Sequence, residues 1–255
     1  SNLLAQTDIA VGVTALDDAP SVEGFNGPDP QLVAVAEAYA KQQGITLNRQ
    51  AVYADVDAGI ATRIADEYTN MVDDPSDPAV KEAYDDLIAQ TTAQYEALVD
   101  AGYTFWFTDL SIEDNLEYLS TPWNAMRDIR ANKSMGIFST ADGHGTGEMD
   151  TTKNPLLADT PYYWPVGSAD STETKPVLAN DLFRAVHDAF GHGLEGSGFR
   201  ARGEENAWQA HVRLFTGPAV GAITTETRGQ NSWVNYGPHG EANREASVED
   251  TVFAD

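Results

Sequence analysis

The chain has 255 residues, 42% of them apolar, no cysteine, and 40 acidic against 15 basic side chains for a formal charge of −25. Length and apolar content suffice for a sizeable core, while the lack of thiols excludes disulfides and thiolate metal sites, leaving His, Asp, Glu or backbone oxygen to hold any ion. So acidic a chain gains nothing from a polyanion, and no apolar run approaches the roughly 20 residues that span a bilayer, so neither nucleic acid nor membrane is expected as a partner.

Residues 1–29 are rich in turn formers, with Asp17-Asp18-Ala19-Pro20 and Asn26-Gly27-Pro28-Asp29-Pro30, and read as an extended arm. Residues 30–255 read as one mainly helical domain. Asp29-Pro30 offers an N-cap and a first-turn proline for a helix that ends at Gly44, with Leu32, Val35, Ala36 and Tyr39 on one stripe. A second helix is expected over Asp57 to Met71, and a longer third one from Asp77-Pro78 to Gly102. Tyr103-Thr104-Phe105-Trp106-Phe107 reads as a short buried strand, with Met135-Gly136-Ile137-Phe138 as its partner. Thr121-Pro122 caps a helix of about Trp123 to Asn132, after which Ser139 to Tyr163 shows no period and reads as a long loop. Helical patterning resumes at Asn180, where Leu182, Phe183, Val186 and Phe190 form a stripe. Two more helices are expected over Gly203 to Phe215 and Pro218 to Thr227, followed by an extended piece and turn through Asn231 to Pro238. The fold class is therefore mainly α (α+β), with one small two-strand element and long irregular loops.

Polar chemistry is concentrated in one stretch. Residues 184–244 hold six Arg and six acidic residues, so this segment is neutral, and it contains four of the five histidines. His187-Asp188-Ala189-Phe190-Gly191-His192 places two imidazoles and a carboxylate within six residues. Histidine is the commonest metal ligand. On a regular α-helix, however, positions five apart diverge by about 140° around the axis. Both imidazoles reach one ion only if it lies at the helix edge, or if Gly191 loosens the turn so that His192 swings round.

The His, acidic, two apolar, Gly, His pattern resembles the iron-ligand motif of the pterin-dependent aromatic amino acid hydroxylases. The resemblance covers these six residues. It implies a non-haem Fe(II) bound by His187, His192 and a glutamate from a later helix, with a face open to oxygen and substrate. Glu226 takes the glutamate's place by this analogy. Glu204 competes with it, because helical spacing puts Glu204, Trp208 and His211 on one face, and His211 is a further candidate ligand. Zn and Mn suit the same donors, and pterin dependence stays open.

A second likeness runs from about Asn180 onward. Arg202-Gly203-Glu204-Glu205-Asn206-Ala207-Trp208 and Glu226 to Pro238 are similar to an uncharacterised domain of large tailed-phage structural or polyvalent proteins. It implies a viral origin and a place in the virion or the host cytoplasm, and it names no reaction.

Three functions follow as expectations. The first is a metal-binding hydroxylase, with Asp188 orienting a ligating imidazole, Arg200, Arg202 or Arg228 holding the carboxylate of a small-molecule substrate, and Trp208 or Trp233 stacking on it. The second is a virion-associated structural or interaction protein, with other virion proteins as partners, in which the same residues form a closed polar core with or without a structural metal. The third is a metal-dependent hydrolase with Glu204 or Glu205 as general base. The arginines also have a plainer use, as ion-pair partners of Glu204, Glu205 and Glu226.

Overall fold

The computed structural model describes residues 27–50, 53–144, 150–245 and 251–252, so all but the end of the predicted arm lies outside it. The fold is mainly α with a little β. Three N-terminal helices follow the sequence pattern: α1 (Pro30–Gln42), α2 (Ala58–Asn70) and α3 (Pro78–Asp100). Each starts where an aspartate precedes the first turn, since the side chains of Asp29, Asp57 and Asp77 accept backbone N–H groups that have no helical partner. α1 is followed at Gly44, and α3 at Gly102, by a glycine with positive φ.

β1 (Thr104–Phe107) pairs in parallel with β2 (Ser134–Ile137), from Thr104 opposite Ser134 to Phe107 opposite Ile137. The crossover carries α4 (Glu113–Leu119) and α5 (Pro122–Asn132). The stretch from Ser139 onward is more ordered than its sequence suggests. It contains α6 (Thr140–His144), a 3-10 turn at Pro155–Leu157, and β3 (Asp159–Pro165) paired antiparallel with β4 (Thr174–Leu178). Pro161, Pro165 and Pro176 lie inside these strands and mask the strand pattern, a placement that a two-stranded ribbon tolerates because every strand is an edge. The described residues thus hold two small sheets where one was expected.

The C-terminal half supplies α7 (Ala179–His187), α8 (Ala201–Val212), α9 (Ala219–Thr224), α10 (Gln230–Tyr236) and α11 (Gly240–Glu245). Two π-helical turns interrupt this series, Asp188–Gly193 after α7 and Thr225–Gly229 after α9. The segment expected to be extended from Asn231 is instead the helix α10. Its Trp233 and Val234 pack against Ala65 of α2, and that burial outweighs the strand preference of Trp, Val and Tyr.

The main core joins α1, α3, β1, β2 and α7 through Leu32, Leu98, Phe107, Ile137 and Val186. A second cluster, with Leu87, Phe183, Phe215 and Ile223, seats α9 on α3. No helix among the described residues is long and apolar enough to cross a membrane.

Candidate metal centre

The π turn at Asp188–Gly193 decides how the two histidines meet. In an α-helix they would diverge, whereas the i→i+5 pattern of a π turn sets residues five apart on one face. His187 and His192 accordingly lie edge to face with ring centroids 5.2 Å apart. Gly191 makes the turn sterically feasible. A Cβ there would sit 2.9 Å from His187 Cε1 and Nδ1 and 3.2 Å from the Ala207 carbonyl oxygen.

Glu204 approaches from the first turn of α8. Its Oε2 is 3.4 Å from His192 Nε2 and 3.3 Å from Asn231 Nδ2, which donates to it. Glu204 Oε1 is buried with no hydrogen-bond partner. α8 reaches this position because Gly203 lets its backbone press on the preceding loop, where a Cβ would lie 2.0 Å from the Gly198 carbonyl oxygen. His187, His192 and Glu204 are all buried and offer one donor atom each, all within 4.8 Å of one another.

The tautomers follow from the surrounding network. His192 Nδ1 lies 3.0 Å from Gly198 O and 3.3 Å from Ser197 O, which can only accept, so Nδ1 carries the proton. Tyr53 fixes that loop by accepting the Gly198 N–H at 3.2 Å. Behind His187, Gln94 Nε2 donates to Leu214 O at 3.2 Å, which turns Gln94 Oε1 toward His211 Nε2 at 2.8 Å. His211 therefore donates through Nε2 and accepts through Nδ1, and His187 Nδ1, 3.1 Å away, donates to it. His187 is left with Nε2 as its lone-pair nitrogen, and Nε2 is the nitrogen that His192 turns toward Glu204. Burial, reinforced by the neighbouring His192 and His211, holds His187 well below its ordinary pKa, and burial with the nearby His192 lowers His211 to about 3. These two imidazoles are neutral at physiological pH.

This arrangement fits a divalent cation. Two ligand atoms around an ion at roughly 2.1 Å lie about 3 to 4 Å apart, which the spacing of His192 Nε2 and Glu204 Oε2 matches. Ligating histidines ordinarily give their other N–H to a carbonyl or a similar acceptor, as both do here. A lone-pair nitrogen facing a carboxylate oxygen in a dry interior calls for positive charge between them. The shell around them is aromatic, with Phe199 stacked on His192 at 4.0 Å and Phe183 on His187 at 6.1 Å.

The other predicted site residues lie elsewhere. Glu226 is outside the group: on the second π turn, its carboxylate accepts the Tyr84 hydroxyl and Gln230 Nε2, the latter at 2.7 Å. Its place by analogy falls to Glu204, the competitor that helical spacing put forward. His211 stands behind His187 as its hydrogen-bond partner and not beside the other donors. The orienting contacts come from His211 and from the carbonyls of Ser197 and Gly198; no described hydrogen bond joins Asp188 to either imidazole. Burial raises the Asp188 carboxyl to about 6, against the pull of His192 and Arg184, and its Oδ1 has no hydrogen-bond partner.

Arg228 follows the plainer reading, with Nε 3.0 Å and Nη2 2.8 Å from the oxygens of Glu205 and its guanidinium 4.2 Å over the Trp208 ring. Arg202 pairs with Asp55 at 3.0 Å. Trp208 is thus covered, and Trp233 is buried with its indole donating to Thr69.

No family model, curated protein or solved structure matches this chain. The candidate metal centre therefore rests on its own geometry. Sequence reasoning missed Asn231, Gln94 and Arg184. The first two approach the site across 27 and 117 residues, beyond any local pattern. Arg184 was within reach, since it lies three residues before His187 and four before Asp188, one helical turn away.

Proposed function

We propose that this chain binds one divalent transition metal through His187 Nε2, His192 Nε2 and Glu204, and that with Fe(II) and an external two-electron donor of the reduced-pterin class it hydroxylates a small organic substrate, one oxygen atom of O2 entering the product and the other leaving as water. The observation that carries the reading is the convergence of two pre-oriented imidazole nitrogens and a carboxylate whose Oε1 has no partner, all in a buried aromatic shell. Two histidines and one carboxylate are the donor set of non-haem Fe(II) oxygenases, where three protein ligands leave positions for oxygen chemistry. Iron supplies the redox chemistry when bound. The chain's own residues hold the donor geometry: His211 and Gln94 fix the His187 ring, the Ser197 and Gly198 carbonyls fix His192, and Asn231 fixes Glu204. Phe183 and Phe199 keep water from the imidazole faces.

The competing readings have less support. Hydrolysis called on Glu204 or Glu205 as base, yet Glu204 stands among the donors and Glu205 accepts both contacts from Arg228. A structural polar core without a metal would leave Glu204 Oε1 buried and unsatisfied, at a cost of roughly 1–3 kcal/mol or more. The test is oxygen uptake by protein loaded anaerobically with Fe(II) and given a reduced pterin as electron donor, against free Fe(II) with the same donor. Uptake above that of free Fe(II), lost in Glu204→Gln and kept in Glu226→Gln, is the expected result; uptake indifferent to Glu204 would overturn the reading.

A further inference from the structure

A separate cavity of about 30 Å³ adjoins the metal centre, enclosed by α4, α5, β2 and α7. Its walls are mostly apolar and contain none of the three proposed ligands, but Asp188 and Phe199 line it, and Phe199 is the ring stacked on His192. Two charged residues line this space. Arg184 is 3% exposed; its Nη1 donates to the Phe138 carbonyl, and its Nε has no hydrogen-bond partner. Asp188 Oδ1 is likewise buried without a partner. The remaining side-chain polar group is committed, since the Tyr118 hydroxyl donates to Asp128 Oδ2 at 3.1 Å and accepts the Gly136 N–H at 2.9 Å.

A buried guanidinium N–H and a buried carboxylate oxygen, both unmatched and on residues that line one cavity, are costly unless something satisfies them together. We infer that this cavity is a binding site for a small neutral head group with one acceptor for Arg184 Nε and one donor for Asp188 Oδ1, of the primary carboxamide class. The opposed charges set the selectivity. An anion that gains from Arg184 is repelled by Asp188, and a cation meets the reverse. The volume restricts the buried part to about two water-sized groups. Tyr118, Leu119, Ala125 and Phe138 are only half-buried, so the rest of a longer molecule has a way out between them. The inference stands on the cavity alone and survives if the metal reading fails.

Saturation-transfer NMR on the full chain tests it, with acetamide as the probe and acetate and methylammonium as charged controls, in metal-free and metal-loaded protein. Acetamide should give a saturable signal in both, several-fold stronger than either control, and Arg184→Met should abolish it. Because Arg184 also supports the Phe138 carbonyl, Ala125→Phe provides a second variant, which fills the cavity from its rim and should abolish the signal in a folded protein. No acetamide signal, as expected of a cavity that holds only water, would overturn the inference. So would acetate binding equally well, or a signal that persists in folded Ala125→Phe.

Discussion

At the scale of single residues, the site works through proton placement. His211 is the clearest case, with a carbonyl-anchored amide on one side and a ligand imidazole on the other. Its pKa is about 3 in the fold, chiefly through burial, and near 6.5 in an unfolded chain. Between those values the unfolded chain binds a proton that the folded chain refuses, so stability is complete above about pH 6.5 and declines as the pH falls through the window. Denaturant midpoints of metal-free protein should therefore drop from pH 7 to pH 5, and drop less in His211→Phe; an equal slope in both would contradict the assignment. The candidate residues His187, His192, Glu204 and His211 were legible in the sequence because spacing alone singles them out. What spacing could not show was the division of labour. Glu226 and His211 carry the same chemical groups as the donors, and only the partners Tyr84 and Gln94, distant along the chain, commit them to other tasks.

At the scale of elements, the π turn and two glycines set the geometry of the site. The sequence implied that two histidines five apart needed an opened turn at Gly191, and the π turn over Asp188–Gly193 provides it. Gly191 and Gly203 should respond differently to alanine. At Gly191 the clash is with the His187 ring, so Gly191→Ala should weaken metal binding by roughly 10–100-fold, the scale seen when a ligand's support is lost. At Gly203 the clash is with backbone that cannot step aside, so Gly203→Ala should cost about 3 kcal/mol of stability in chemical denaturation. Equal losses of affinity and stability in the two variants would refute this division. Helices announced by an aspartate cap were readable nearly to their ends, as α1, α2 and α3 show. The ribbon of β3 and β4 and the helix α10 were not, because prolines hid the strands and tertiary burial at Trp233 decided the helix.

At the scale of the whole molecule, the long helix α3 links the two halves. It contributes Leu98 to the main core and Leu87 to the second, and it delivers Gln94 to His211 beside the candidate metal centre. The charge is divided in the same sense: the acidic excess lies outside residues 184–244, and the neutral segment builds the site. The central claim is one metal ion per chain held by His187, His192 and Glu204. Elemental analysis after loading with Fe(II), Mn(II) or Zn(II) and removal of excess ion tests it most directly, on the natural sequence beside His192→Ala, Glu204→Gln and Glu226→Gln. The account predicts about one equivalent in the natural sequence and in Glu226→Gln, with a large loss in the other two. Less than about a tenth of an equivalent in the natural sequence, or a loss that follows Glu226 instead of Glu204, would contradict it.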